Sequence, residues 1–469
     1  RFGCASNTTL HRSHSRGGKE LCCVHHVSDR RHLDALQLRY DQRQTVTENG
    51  SPTAQHDIAS SNSYRSVKKS STQLRLILSV SFLKSPNYRW QLAALSYTAA
   101  MNTLLFNIQP VFVGVLNQTF GFDEQQLGEL LSAGFLSSCL VLGSSYFWAN
   151  RVSRQRAIAM GIAFGLLGLS FQYFASDFET VMVGIVLASA GLSVTAAPVM
   201  LGLASMPNPT QAFSFAICAM VLIAGVCTLL IPTVLFPYWA YHGVIGFLIG
   251  LVALTLLLLP MIPESGTITG DSPPVVHSTS SKAAWLLLVA TVIYFVGLNS
   301  NWAFLETLGN HAGIETPTVS VSITLGLLLG LVGSGAAAIV HNRISVQQAM
   351  FVSLGGCLVY VVILTNTPGP LAFGLAVVLF CAVWNFSLPY TMSLVRSYDH
   401  SGKLLALVPA AQSLGGAIGP LFAGPLLMAS GPKAVYLLLL GCVLFASVTF
   451  SWFVHRITST DPTHSTSRL

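Results

Sequence analysis

Between Trp90 and His455 the sequence is nearly without charge. Charged residues make up 9 % of the chain as a whole, against roughly 25 % in a soluble protein. The Lys and Arg that exist are unevenly placed: the first ninety residues carry 14 of the 24. That scarcity excludes an ordinary soluble domain, whose surface needs charge. It also excludes a nucleic-acid interface, because the net charge of +7 resides in the front tail and not on a patterned surface. No Walker-type phosphate loop appears, so the chain is not expected to hydrolyse ATP. No ring of charged residues or pore-loop signature marks a channel. Clustered intramembrane His, Asp or Glu, as a membrane-embedded enzyme would need, are also missing. Most of the cysteines sit inside apolar blocks, where they act as small hydrophobes. Cys22, Cys23, His25 and His26 match no standard zinc spacing. No cofactor and no metal are expected.

What the sequence has is long apolar runs. Twelve blocks are long enough to cross a bilayer at 1.5 Å rise per residue: about 91–115, 127–149, 157–175, 181–205, 211–233, 239–262, 283–308, 317–340, 349–366, 370–395, 404–428 and 433–455. Backbone in hydrocarbon must satisfy its own hydrogen bonds, so these blocks are expected to be helices. The fold class is all-α membrane. Residues 1–89 are expected to be a disordered basic tail, attracted to anionic lipid. Loop charge sets the orientation. Arg151, Arg154, Arg156, Lys282, Arg343, Arg396 and Lys403 fall on one side, and Asp123, Glu124, Asp177, Glu179 and Glu315 on the other. By the positive-inside rule both termini are cytoplasmic. The plasma membrane is the expected location.

An internal repeat divides the membrane part. After the second block the chain reads Asn150-Arg151-Val152-Ser153-Arg154-Gln155-Arg156-Ala157. After the eighth it reads Asn342-Arg343-Ile344-Ser345-Val346-Gln347-Gln348-Ala349. Each copy links the second and third spans of a six-span half. The halves are residues 90–262 and 283–455, joined by a cytoplasmic linker at 263–282 and followed by a cytoplasmic tail at 456–469. Two pseudo-symmetric six-helix bundles with parallel repeats resemble the major facilitator superfamily. The loop after the second span resembles that family's Gly-x-x-x-Asp-Arg-x-Gly-Arg-type motif, with Tyr146, Asn150 and Ser153 replacing its first Gly, its Asp and its second Gly. Further stretches are similar to prokaryote-type permeases of that family: Trp302-Ala303-Phe304-Leu305-Glu306, Trp384-Asn385-Phe386 with Pro389-Tyr390, and Asp399-His400-Ser401-Gly402-Lys403 followed by Gln412 and Gly419-Pro420.

The resemblance implies a secondary transporter of a small solute working by alternating access, and not an enzyme. A transport-inactive solute sensor on the same fold is the alternative, and a membrane-embedded enzyme a more distant one. The chain is expected to act as a monomer. The resemblance further implies that the motif loops clasp helix ends across the halves, which makes Asn150, Arg151, Arg154, Asn342 and Arg343 the gating-loop candidates. With Asn150 in place of an acid, one charge of that clasp is missing.

Alternating access needs a polar site near mid-membrane between the halves. Thr98, Asn102, Phe106 and Gln109, spaced four, four and three, share one helix face, as do Phe295, Asn299, Trp302 and Glu306 in the symmetry-related span. Trp384 and Asn385, beside Pro389, and Gln412 complete the cavity candidates. The competing reading is that buried amides tie neighbouring helices together. Glu306 is the one acid well inside a span, where a carboxylate costs about 2.5–3.5 kcal/mol on insertion scales, so it is the proton-coupling candidate. The other reading has Glu306 reaching headgroups or a watery vestibule near the outer surface. Glu129 is read as a first-turn carboxylate favoured by the helix dipole. Small residues recurring every four positions, Gly326 and Gly330 in one span and Gly415 and Gly419 in another, are read as packing seams.

Overall fold

Proline and capping side chains start most of the helices. Pro86, Pro209, Pro370 and Pro432 each open a helix, a position where the missing N–H is no loss and the fixed φ suits the first turn. Asp123 and Ser345 open others through reciprocal capping boxes with Gln126 and Gln348, and Asp177 caps a third through the Thr180 N–H. Gly121, Gly313 and Gly431 end or follow helices at φ of 68°, 80° and 72°, a left-handed geometry in which a side chain would be strained.

The computed structural model describes residues 86–149, 151–207, 209–264, 282–340, 343–366, 368–398 and 407–460, all within one compact unit, Ile77–Leu469. The expectations for residues 1–85, for most of the linker, and for Asn150 and Asn342 lie outside the described residues. Ten helical runs are long and apolar enough to cross a membrane. One of them, Gln211–Met261, has 51 residues. At 1.5 Å per residue that is about 76 Å, more than twice the hydrocarbon core. It is two spans: a π-helical turn at Ile231–Leu235 ends the first, and Ala240, at φ 51° and ψ −156°, breaks the chain before the second. A further span precedes the ten as three short helices, Pro86–Asn102, Leu104–Asn107 and Gln109–Phe120. Among the described residues the spans are therefore twelve, in two six-helix bundles, numbered spans 1 to 12 below.

Span 1 begins at Pro86, so the first helix takes in residues assigned above to the tail. Span 2 begins at Glu124, which moves Glu129 into the second turn, where it accepts a bond from Gln125 Nε2. The first-turn dipole reading of Glu129 is thereby corrected.

Within each half, glycines bring backbones together. A Cβ at Gly161 would lie 2.7 Å from the Gly191 carbonyl oxygen, and one at Gly168 2.6 Å from that of Gly184, joining span 3 to span 4. In the second half a Cβ at Gly415 would lie 2.5 Å from Phe295 Cβ, and one at Gly419 2.7 Å from the Val296 carbonyl oxygen, joining span 11 to span 7. Gly326 and Gly330 admit Cys381 and Asn385 of span 10 against span 8 in the same way. Loop charge distinguishes the two ends of the bundle. The end bearing Asp123, Asp177 and Glu315 is called the acidic end, and that bearing Arg151, Arg156 and Arg343 the basic end.

Candidate functional site

Span 1 is interrupted at Thr103 and Ile108. Pro110, two residues beyond the second break, has no N–H. The Phe106 carbonyl therefore lacks the donor that position i+4 supplies in a regular helix. Beside the Ile108 N–H of the same turn, a donor comes from the other half: Trp302 Nε1–H of span 7 donates to Phe106 O at 3.0 Å. Around this bond the aromatic rings of four spans meet. Phe106 lies 5.7 Å from Phe135 of span 2, 6.4 Å from Trp302 and 6.0 Å from Trp384 of span 10. Trp384 in turn meets Phe295, Trp302 and Phe380 edge to face. Such edge-to-face contacts are worth about 0.5–1.5 kcal/mol each beyond their burial.

On the acidic side of this cluster Glu306 meets Gly114. Span 7 breaks at Phe304 and resumes as the short helix Leu305–His311, which carries the Glu306 carboxyl onto the Cα of Gly114 in span 1. The Glu306 carboxyl occupies the space that a Cβ at Gly114 would take. Glu306 is 2 % exposed, and its Oε2 has no hydrogen-bond partner. A cavity of about 350 Å³ lies beside it, lined from the first half by Asn117 and Glu124 and from the second by Glu306, Thr307, Asn310 and His311, among others. The reading of Glu306 as a headgroup-reaching side chain does not hold, since it is buried between spans. The vestibule reading fits the adjoining cavity.

The halves are closed together on this side elsewhere too. Spans 2 and 11 run antiparallel, and in step: a Cβ at Gly128 would lie 2.5 Å from the Pro420 carbonyl oxygen, and Gly424 packs on the Glu124 backbone four residues along each helix. Ser413 Oγ donates to Phe135 O at 3.2 Å. Thr228 of span 5 and Thr324 of span 8 share a hydroxyl–hydroxyl bond of 2.9 Å.

The sequence candidates divide. Phe106, Phe295, Trp302 and Trp384 come together in the aromatic cluster. Thr98 bonds the Ala94 carbonyl of its own turn. Asn102 reaches Leu192 O of span 4 at 3.4 Å, inside the first half. Gln109 is buried with neither amide atom partnered. It shares a helical stripe with Phe120, whose ring meets Tyr241 of span 6. Asn299 donates to Phe295 O and keeps an unpartnered Oδ1. Asn385 donates to Cys381 O of its own span and lies against Gly330. Gln412 is half-buried beside Ser413. Between Thr98 and Gln109 the helix loosens at Thr103 and Ile108, and between Phe295 and Glu306 at Phe304, while Asn107, Ile108, Phe112 and Leu308 keep their bonds to the carbonyls four residues back.

Two residues at the end of the motif loop bond within their own half. Arg154, 6 % exposed, donates to Pro263 O at 2.7 Å, and Gln155 Nε2 donates to Ile262 O at the same distance. Both therefore hold the end of span 6, not the opposite bundle. Arg151 and Arg343 are exposed. Gly114, Phe135, Phe380, Thr228 and Thr324 escape the sequence reading. Only the Pro110 signal, four residues after Phe106, was there to be found. Among the described residues no three His, Cys, Asp or Glu gather as a metal site requires.

Comparison with known proteins bears on the whole architecture. No curated protein matches the sequence. Among solved structures, the nucleoside transporter NupG superposes with a TM-score of 0.64 at 11 % identity, covering 78 % of this chain and 99 % of that one. A D-xylose-proton symporter does so with 0.61 at 14 %, covering 77 % and 98 %. A bacterial homolog of the human lysosomal transporter Spinster, inward-facing and unoccupied, gives 0.59 at 13 %, covering 79 % and 97 %. At these identities the likeness is one of fold. The model of the Major Facilitator Superfamily matches residues 93–401, well over half the length, and the chain belongs to that family.

Proposed function

We propose that the chain is a secondary transporter that carries a small solute by alternating access, and that the state described is the one closed at the acidic end. The observation that carries this reading is the bond from Trp302 to the Phe106 carbonyl, with Glu306 seated on Gly114 beside it. Both join the halves without joining residues within a half. Contacts of this kind can part as the bundles rock, leaving each bundle intact. Their size suits a gate. A hydrogen bond contributes about 0.5–1.5 kcal/mol net, so the few that join the halves amount to the scale that a solute with roughly hundredfold preference for the other state can overcome.

The acidic end faces away from the cytoplasm in this reading, because the basic loops lie opposite, and both termini are then cytoplasmic. Residues 90–262 and 283–455 are the moving units. The solute meets the aromatic cluster of Phe106, Phe295, Trp302 and Trp384, with Asn299 and Gln412 on the spans beside it. No Lys or Arg belongs to this set, which disfavours strongly anionic solutes. Glu306 is the proton carrier: a carboxylate removed from water must either bear a proton or meet a cation.

Counterflow of labelled solutes into proteoliposomes tests the reading, with a panel of neutral and weakly cationic compounds run with and without a pH gradient. Exchange of at least one solute is expected, and a Glu306→Gln chain should keep exchange while losing the response to the gradient. Failure of every solute to exchange would sink the transporter reading. Unchanged proton-driven uptake in the variant would remove Glu306 from coupling.

A further inference from the structure

The cavity at the acidic end has a chemistry of its own. Two carboxylates line it, Glu124 from the first half and Glu306 from the second, and no Lys or Arg does. Glu306 is buried there with Oε2 unpartnered, and a buried carboxylate oxygen without a donor is costly to leave so. The remaining lining is polar. Asn117 uses its Nδ2 on the Phe122 carbonyl, leaving its Oδ1 as an acceptor. His311 Nδ1–H donates to the Thr307 carbonyl at 2.9 Å, leaving Nε2 as an acceptor when the ring is neutral. Thr307 adds a hydroxyl.

A site rich in acceptors, with two carboxylates and no fixed cation, selects a positively charged donor. An anion would be repelled. A divalent metal ion would want several hard ligands converging at short range, and no such cluster exists among the described residues. A volume of about 350 Å³ is at the small end for ligand pockets and suits a small amine. We infer that this cavity is a binding site for a small organic cation, a protonated primary amine, whose ammonium group is held by the Glu306 carboxylate with Glu124 as the second anion.

Because the lining comes from both halves, an occupant contacts spans 1 and 2 on one side and span 7 on the other. A ligand that binds one state and not its alternative stabilises that state by mass action. An amine in the cavity therefore favours the closed acidic end and opposes its opening. The consequence for transport rests on the function proposed above; the binding site itself does not.

The experiment uses the full chain in lipid nanodiscs and ethylammonium chloride as the probe, against sodium chloride at equal ionic strength. Ethylammonium is expected to raise the thermal unfolding midpoint in a saturable way, and sodium to leave it unchanged. Glu306→Gln should weaken the apparent affinity about tenfold or more, since a charge-assisted bond is lost. Glu124→Gln, at the half-exposed start of span 2, should weaken it several-fold and serves as the deciding variant if Glu306→Gln does not fold. No rise beyond that in sodium chloride would overturn the site, as would an equal rise with sodium or an undiminished rise in the Glu124→Gln chain. In proteoliposomes, ethylammonium on the acidic side should lower solute counterflow. If no solute exchanges while the saturable stabilisation remains, the transporter reading fails and the site stands.

Discussion

Spans 1 and 7 are symmetry mates, and both break near the same depth, yet they bring different things to the place where they meet. Span 1 offers backbone: a carbonyl at Phe106 that Pro110 deprives of its i+4 donor, and a bare Cα at Gly114. Span 7 offers side chains: the Trp302 indole and the Glu306 carboxyl. Two identical copies could not do this, since a carbonyl does not bond a carbonyl and a glycine leaves no group to seat on a glycine. Divergence between the repeats thus creates a complementary contact between the bundles, whereas the glycine seams inside each half serve only to hold that half together.

The largest effect should come from breaking a seam inside one bundle. Gly419→Leu would drive a side chain into the Val296 backbone. Overpacking of this kind costs about 1–3 kcal/mol and more where backbone cannot yield, so detergent-extracted protein should be largely lost in size-exclusion profiles. Gly114→Val comes next and tests the contact between bundles. The chain should still fold, because the obstructing carboxyl belongs to the other half, while exchange at saturating solute falls at least about tenfold from a destabilised closed state. The Gly114→Val, Glu306→Ala double variant should recover much of that exchange. Recovery would mark the pair as a gate, and its absence would mark Gly114 as a position of purely local importance.

A smaller effect separates the backbone role of span 1 from its side chains. Trp302→Phe removes the indole donor and leaves the Phe106 carbonyl with the Ile108 N–H alone, at a cost of about 0.5–1.5 kcal/mol to the closed state. Pro110→Ala restores an N–H that can reach the same carbonyl. In that background Trp302→Phe should cost about 1 kcal/mol less, read as a coupling energy from solute affinities in a double-mutant cycle. Additive effects would mean that the two residues do not share the carbonyl.

The smallest effect lies away from both spans. The Asp177 carboxyl is held below its ordinary range, first by the Thr180 backbone N–H and then by the Thr180 hydroxyl. Its folded-state value being depressed, its stabilisation is present above the ordinary carboxylate value and is lost as pH falls through the lowered one. An Asp177→Asn chain should show a slightly shallower loss of thermal stability on acidification than the unaltered protein, and unaltered exchange near neutrality.

Much of the fold could be read before any coordinates. Apolar length pointed to the spans, and the repeat that includes Arg151 and Arg343 pointed to two halves. Those signals act over a few residues, so they survive translation from string to structure. The candidate site was less legible. Glu306 could be found by its cost in a span, and Trp302 by its place on the same helix. Their partners could not, because a glycine that receives a carboxyl reads like any other glycine. Of Thr98, Asn102, Phe106 and Gln109, Phe106 alone joins the aromatic cluster. Asn102 and Asn385 went to carbonyls instead, since an amide inside an apolar bundle bonds the nearest acceptor it can reach.

By itself the sequence determined that this chain lives in a bilayer as twelve helices in two related groups of six. Hydrocarbon demands that each span satisfy its own backbone, and a demand met locally is written locally. Only the tertiary structure decided that Pro110 frees a carbonyl for Trp302, that Glu306 rests on Gly114, and that two carboxylates share one cavity. Those pairings depend on how two rigid bundles dock, and docking is settled by many weak contacts between residues far apart in sequence, such as Phe106 and Trp302 or Phe135 and Ser413.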